Sequence, residues 1–174
     1  NDTFRLATVR SPANLAFPTY IVAVAANTSQ VININPSIAL VETPFDVFGG
    51  LADVSRTGLL IDSTAKITAY YEVNNGTNND IFALKGKNGL GNDFYVPFQG
   101  KWRHQPGLAP NGRSGFVVVA TEDFTTITVT PSTNLEGGQA AGLPFNVVLN
   151  RGETYVGSVS QPTGGNFPSG SRIQ

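Results

Sequence analysis

Two stretches of the chain share one pattern of hydrophobic and polar positions. Residues 116–132 read FVVVATEDFTTITVTPS, and residues 21–37 read IVAVAANTSQVININPS. Each begins with an apolar run, continues through a short polar turn, and then alternates apolar residues with Thr or Asn before a Pro-Ser ending. Alternation with a period of two is typical of a β-strand with one buried face. The pattern therefore predicts the same β-hairpin twice.

The alternation also predicts which side chains face the core, because successive side chains of a strand point to opposite faces. We expect the aliphatic side chains to point inward, namely Ile32, Ile34, Ile127 and Val129. The polar side chains between them are expected to face solvent, namely Asn33, Thr126 and Thr128.

The similarity between the two stretches extends beyond them and indicates an internal repeat. Residues 44–47, PFDV, correspond to residues 144–147, PFNV. Self-similarity at a fixed spacing reflects the architecture of the whole chain. We therefore divide the chain into unit 1, residues 1–90, and unit 2, residues 91–174.

The second unit ends before any counterpart of one predicted strand, residues 66–73, KITAYYEV. We therefore expect the chain to be a fragment that stops inside its second unit, and the sheet of unit 2 to have an open edge. An unpaired edge offers backbone hydrogen-bonding groups to another strand. This hypothesis predicts self-association through unit 2, or completion of the sheet by following residues.

The remainder of the chain indicates an all-β protein. No window of helical length keeps an apolar period of 3.6 residues, and 19 Gly and 11 Pro disfavour long helices. The repeat of about 95 residues is close to the roughly 100 residues of an immunoglobulin-like sandwich. We therefore predict antiparallel β-sandwich-like units in tandem. Propeller-type blades, which have about 40–45 residues each, are the alternative.

Composition favours an extracellular protein. Charged residues make up only 13% of the chain, and Thr, Ser, Asn and Gly take their place. The net charge of −1 provides no attraction for nucleic acid. The absence of cysteine excludes disulfides and thiol catalysis. No run approaches the roughly 20 apolar residues of a membrane span, and nothing indicates a cofactor.

The loop after the strand predicted at residues 94–98 holds the best candidates for ligand contact. Trp102, Arg103 and His104 are consecutive and include the only Trp and the only His of the chain. An exposed Trp stacks on sugar rings or anchors a protein partner, and Tyr95 is a second candidate for stacking. The alternative is that Trp102 covers the edge of the sandwich and His104 has no role.

Other motifs give weaker signals for metal binding or catalysis. The polar loop at residues 74–80 offers oxygen ligands for Ca²⁺, with Asp80 and Glu72 as its charged candidates, but its spacing is not that of an EF-hand. Glu122 and Asp123 are adjacent carboxylates in a turn, a weak pattern for acid–base chemistry. No nucleophile elbow or phosphate-binding loop is present, so we predict a chain that is not an enzyme.

Three residues fit short patterns for glycosylation. Asn27 and Asn75 each begin an Asn-x-Ser/Thr sequence, the acceptor pattern for N-glycosylation in eukaryotes. Ser63, in Asp62-Ser63-Thr64, resembles the O-glycosylation signal of Bacteroidota.

Four blocks occur in the order of a known family: NDFYVP at 92–97, VVATEDFTTITVTP at 118–131, PFNVVLNRGETY at 144–155 and GSRIQ at 170–174. In these blocks the chain resembles the IgGFc-binding-protein N-terminal domain family. The resemblance implies a secreted, non-catalytic binding or adhesion module. It defines no ligand-contact residue and does not transfer Fc specificity. The absence of cysteine departs from the animal members and favours a surface protein of the Bacteroidota.

These observations lead to two hypotheses of function. The first is an extracellular adhesion or surface-structural module of a larger protein, which binds protein or glycan at the cell surface or assembles into fibres. The second is a carbohydrate-recognition module attached to an enzyme, with Trp102 and Tyr95 as its stacking residues.

Overall fold

The computed structural model describes residues 4–42, 54–74, 79–97, 114–160 and 166–174. These residues form an all-β structure, as predicted, in which every pair of strands is antiparallel. The strands are β1 (Arg5–Arg10), β2 (Tyr20–Val24), β3 (Val54–Ser55), β4 (Leu60–Ser63), β5 (Tyr70–Asn74), β6 (Asn79–Ala83), β7 (Phe94–Tyr95), β8 (Gly115–Val119), β9 (Thr125–Thr130), β10 (Phe145–Leu149), β11 (Thr154–Ser158) and β12 (Arg172–Ile173). Short 3-10 helices lie at Asn35–Leu40 and Gly86–Gly89.

Two sheets share the main hydrophobic core in a sandwich-like arrangement. One sheet has the strand order β10-β9-β12-β7, and the other has the order β3-β11-β8. Strands of both sheets contribute buried side chains to a single cluster: Val96, Ala120, Ile127, Val129, Leu149, Tyr155 and Ile173. Burial of this apolar surface is the main favourable contribution to folding.

The chain crosses between these two sheets at two adjacent turns. Strand β8 pairs with β11, whereas β9 pairs with β10 and β12. The turn after β8 and the turn after β10 therefore each lead into the opposite sheet. Backbone hydrogen bonds join the two turns, from Gly152 N to Ala120 O (2.9 Å) and from Ala120 N to Glu153 O (3.1 Å). The predicted hairpin at residues 116–132 is therefore wrong, because its two strands face each other across the core and do not pair.

The predicted facing of β9 is confirmed. Ile127 and Val129 are buried in the cluster, while Thr126 and Thr128 lie on the opposite face of the sheet. Thr128 Oγ1 donates a hydrogen bond to Asn146 Oδ1 on the neighbouring strand (2.9 Å). The two-residue period therefore determines the face of each side chain, whichever strand is the hydrogen-bonding partner.

Tyr155 on β11 is the largest fully buried side chain of this core. Its ring centroid lies 6.2 Å from that of Phe116 and 5.9 Å from that of Phe145, so it contacts an aromatic side chain from each sheet. Gly157 lies opposite Phe116 in the strand register, and a Cβ at Gly157 would approach the Phe116 ring to 2.3 Å. The Phe116 ring therefore fits in its position because residue 157 is glycine and has no side chain.

The buried hydroxyl of Tyr155 is expected to make stability depend on pH in the alkaline range. Burial raises the pKa of Tyr155 from 10.0 to about 12, because the anion is the form that loses hydration. Its contribution to stability is therefore complete below pH 10 and is lost as the pH rises to about 12. We expect this residue to remove about 2 kcal/mol of unfolding free energy across the window. Urea melts of the wild type should show the decrease, and melts of Tyr155→Phe should show a clearly smaller one; equal decreases would contradict the prediction.

A third sheet, with the order β2-β1-β4, contains the beginning of the first repeated stretch. Its apolar run forms β2, which is an edge strand on which Ile21 is exposed. Residues 31–34 are not a strand. The side chain of Asn33 accepts a hydrogen bond from Asn35 N (3.0 Å), and a 3-10 helix begins there with Pro36 in its first turn. This local bond competes with strand pairing, and proline removes a backbone donor.

The two repeated stretches are therefore not equivalent hairpins, which corrects the prediction for residues 21–37 as well. Ile32 and Ile34 still pack, partly buried, against a small cluster that contains Val9, Phe17 and Val41. The inward direction predicted for these two side chains is therefore correct, although the residues do not form the predicted strand.

Strands β5 and β6 form a two-stranded ribbon and, within the described residues, pair only with each other. The Tyr71 hydroxyl donates a hydrogen bond to Glu42, just after the first 3-10 helix, and partial burial together with this bond raises the pKa of Tyr71. The strand predicted at residues 66–73 thus does not belong to the sheet of β1. The open edge predicted for the sheet of unit 2 stays a prediction.

Strand β3 joins a segment of predicted unit 1 to a sheet of unit 2. It pairs with β11, and Thr154 Oγ1 lies 2.7 Å from Ser55 Oγ and 2.9 Å from Thr57 Oγ1. The sequence around β3 has no clear apolar period, so this strand was not predicted. The division of the chain at residue 90 stays a prediction.

Candidate binding surface

The predicted contact residues fall into two groups in the structure. Trp102, Arg103 and His104 lie outside the described residues, so their role stays a prediction. Tyr95 is described: it is the second residue of β7, and 64% of its surface is exposed. The site is therefore built outward from Tyr95.

Tyr95 lies directly opposite Arg172 in the pairing of β7 with β12. Directly opposite residues of an antiparallel pair have their side chains on the same face of the sheet. The Arg172 guanidinium carbon is 5.7 Å from the centroid of the Tyr95 ring, within the range of a cation–π contact. The two side chains thus form one exposed aromatic and cationic unit.

Asp93 holds the Arg172 guanidinium in place through two parallel hydrogen bonds. Arg172 Nε donates to Asp93 Oδ1 (2.9 Å), and Arg172 Nη2 donates to Asp93 Oδ2 (2.7 Å). The hydrogen bond from Arg172 lowers the pKa of Asp93, and the same bond raises the pKa of Arg172. This two-point geometry fixes the plane of the guanidinium, which a single contact would not do.

The rest of this sheet face is mainly polar and uncharged, with the exposed Val148, opposite Thr126, as an apolar exception. Arg172 lies opposite Thr130 on β9, and Thr128 lies opposite Asn146 on β10. The side chains of these residues therefore continue the face away from Tyr95, with the Thr128–Asn146 hydrogen bond across it. We call this surface the outer face: Tyr95, Arg172, Thr130, Thr128 and Asn146, with Asp93 at its edge. It offers hydroxyl, amide and guanidinium groups beside one aromatic ring.

Sequence reasoning identified Tyr95 but missed both residues that organise it. Asp93 and Arg172 are 79 positions apart, and only the pairing of β7 with β12 brings them together. A signal was available, because both residues lie in blocks that carry the family resemblance, NDFYVP and GSRIQ. The opposite charges of these blocks would have suggested a pair.

The calcium candidates do not share a site. In the ribbon, Glu72 lies opposite Ile81, and Asp80 lies opposite Val73. These are successive positions of the register, so the two carboxylates project to opposite faces. The described part of the chain has no group of three or more acidic or His side chains placed to hold a metal ion. This facing gives no support to Asp80 and Glu72 as joint ligands, and calcium binding by the loop at residues 74–80 stays a prediction.

The other candidates lie on turns. Asn27 is exposed with a φ of 59°, and Thr28 Oγ1 donates to Ala25 O (3.0 Å). Ser63 Oγ donates to Ala65 O, so this hydroxyl already has a structural partner. Asn75 lies outside the described residues. Glycosylation at Asn27, Asn75 and Ser63 stays a prediction.

The adjacent acidic residues of the turn after β8 have a structural contact. Asp123 Oδ1 accepts a hydrogen bond from Arg151 N (3.0 Å) in the neighbouring turn. The carboxylate therefore ties the two crossing turns together. An acid–base role for Glu122 and Asp123 gains no support from this arrangement.

The fold is thus an antiparallel sandwich that carries an exposed Tyr and Arg on one sheet, and these residue types are frequent where binding energy is concentrated at protein interfaces. Residues 80–174 match the family described as IgGFc binding protein, and the match covers more than half of the chain. The chain belongs to this family, as the resemblance predicted. Membership indicates an extracellular binding module.

Two further comparisons gave no additional relatives: neither the curated proteins nor the solved structures yielded a match. Among the described residues, no helix has the length and apolar character required to cross a membrane.

Proposed function

We propose that this chain is a non-catalytic extracellular module that binds a protein partner through the outer face. The observation that supports the proposal is the exposed Tyr95–Arg172 unit, held by Asp93. Tyr and Arg, together with Trp, are the residue types enriched among side chains that dominate binding energy at protein interfaces. The unit lies within the family-matched residues.

The geometry favours a protein partner because the guanidinium is already fixed. A side chain that is held before binding loses little conformational freedom when the complex forms. Asp93 uses Nε and Nη2 of Arg172, and among the described residues Nη1 keeps both of its donors for an acceptor on a partner. The uncharged Thr and Asn side chains beside it suit the polar part of an interface.

Binding is expected to weaken by about tenfold or more in Tyr95→Ala, because the variant removes the ring and the stacking support of Arg172. The measurement is surface plasmon resonance, first with the Fc of immunoglobulin G, which the family description names, and then with an array of extracellular proteins. Thr126→Ala is the matched control, since Thr126 is exposed on the same sheet face near its other end. Equal affinities of the wild type and Tyr95→Ala would refute the role of the outer face.

A carbohydrate-recognition module is the second candidate, because Tyr95 is an exposed ring on an edge strand. Arg172 already covers one face of that ring, so a sugar would stack on the other. Binding to a glycan array without binding to any protein, lost in both Tyr95→Ala and Trp102→Ala, would favour this candidate over the protein partner.

An adhesive role, attachment to a bacterial surface and assembly into fibres belong to the same proposal and rest on the sequence alone. Self-association is tested by sedimentation velocity across a range of concentrations. A species that stays monomeric at every concentration would remove the fibre hypothesis and leave the binding module intact.

A further inference from the structure

Phe124, in the turn between β8 and β9, is a residue that the fold does not explain. Its side chain is 82% exposed, and its φ is 57°. A bulky side chain in this left-handed region is disfavoured sterically, and glycine, asparagine or aspartate usually take such positions. The other non-glycine residue with positive φ in the described part of the chain is Asn27, which follows that preference. Phenylalanine at position 124 therefore stabilises the fold neither by burying its side chain nor by favouring the backbone conformation of the turn.

The neighbouring turn holds Phe124 in this conformation. Phe124 N donates to Asn150 Oδ1 (3.4 Å), and the preceding residue, Asp123, accepts the hydrogen bond from Arg151 N. The backbone hydrogen bonds of Ala120 with Gly152 and Glu153 also join the two turns. The aromatic side chain is therefore carried by a backbone turn that is already supported, so that ordering the turn costs little when a complex forms.

We propose that Phe124 is an anchor residue that inserts into an apolar pocket of a partner protein. Strained, exposed positions that the surrounding structure maintains are commonly functional. Single aromatic side chains that enter a pocket contribute a large share of the energy of many protein interfaces. This contact is separate from the outer face, since Phe124 belongs to a crossing turn and Tyr95 to the edge strand β7.

The charges around Phe124 indicate the chemistry of the partner. Glu122 and Asp123 precede it, and Glu153 in the adjoining turn lies 3.9 Å from Arg56. With Arg151, the group has three carboxylates and two guanidinium groups. A slightly acidic tip gains nothing from an anionic lipid surface, which attracts basic segments. It fits a protein pocket whose rim carries basic side chains.

The experiment places the photoreactive residue p-benzoylphenylalanine at position 124 and exposes the protein to the extracellular protein fraction of the source cells. We expect a discrete cross-linked product. Excess unlabelled wild type should suppress it, and Tyr95→Ala should suppress it equally well. Phe124→Asn should compete about tenfold less effectively or worse. The matched control places the photoreactive residue at Leu143, which is 64% exposed on the same sandwich, and should give no product with this competition pattern.

Thermal melting separates the proposed role from a structural one. Phe124→Asn should keep the wild-type Tm or raise it by up to about 4 °C, because asparagine tolerates the left-handed conformation. A Tm lowered by several degrees would show that phenylalanine serves the fold, which would overturn the proposal.

Other results would overturn it as well. One is the absence of a discrete product, and another is equal competition by wild type and Phe124→Asn. Binding to phosphatidylglycerol vesicles that is lost in Phe124→Asn would show a membrane contact instead. A dimer in sedimentation velocity that dissociates in Phe124→Asn would show that a second copy of this chain is the occupant. The Tyr95→Ala competitor distinguishes failure of this proposal from failure of the outer face.

Discussion

Replacement of Tyr155 with alanine is expected to lower the free energy of unfolding by about 3–5 kcal/mol. Tyr155 is fully buried, and its ring packs against Phe116 from its own sheet and Phe145 from the facing sheet. The variant would remove apolar contacts with both sheets and leave a cavity that the surrounding strands fill only in part. Urea unfolding followed by circular dichroism gives the difference in free energy.

Tyr155→Phe is the control that separates the ring from its hydroxyl. The Tyr155 hydroxyl is buried and has no hydrogen-bond partner among the described residues. A buried polar group without a partner opposes folding, so its removal should leave stability unchanged or raise it by up to about 1 kcal/mol. A loss in Tyr155→Phe as large as that in Tyr155→Ala would contradict this assignment and indicate that the hydroxyl has an essential partner.

The second large effect is expected on β9, where Ile127→Ala should cost about 2–4 kcal/mol. Ile127 is 5% exposed and belongs to the same core cluster as Tyr155. The loss of unfolding free energy has two parts: the variant buries less aliphatic surface than the wild type, and a cavity remains in the core. Urea melts of Ile127→Ala and the wild type under identical conditions measure it.

Thr128→Ala is the matched variant one position along the strand. Thr128 lies on the outer face and donates one hydrogen bond to Asn146, so its removal should cost less than half of the Ile127 loss. Comparable losses in the two variants would show that the assigned facing of β9 is incorrect.

The alternation in β9 predicted these faces, but it left open which strand pairs with which. Residues 116–132 are compatible with a hairpin and with a crossing between two sheets, because both bury Ile127 and Val129. The choice depends on β10 and β11, which provide partners for β9 and β8 from positions further along the chain. Such pairing involves residues distant in sequence, so local pattern carries no information about it.

The repeated stretch in the first half shows how local chemistry changes the outcome of similar patterns. Where residues 116–132 have Thr between apolar positions, residues 21–37 have Asn. The Asn33 side chain bonds to the backbone two residues later, and the chain enters a 3-10 helix at Asn35. Similar hydrophobic spacing is therefore insufficient to specify two similar strands.

For the candidate binding surface as well, the sequence predicted one residue, and only the fold identified its partners. Its proximity to Trp102 in the sequence predicted Tyr95 as a second stacking residue. Its partners could not be predicted from spacing, since β12 is only two residues long and inserts between β7 and β9. The two-point contact of Asp93 with Arg172 could therefore be predicted only once the strand order of the sheet was known.

By itself, the sequence determined the all-β class, the positions of β2, β8 and β9, and the side chains of β9 that face the core. These follow from the period of two and from turn residues, which act within a few positions of the chain. Only the tertiary structure decided the crossing turns, the addition of β3 to a distant sheet, and the contact of Asp93 with Arg172 beside Tyr95. Each of these depends on which strands lie next to one another, and burial of a shared core selects that arrangement from several that the local pattern permits.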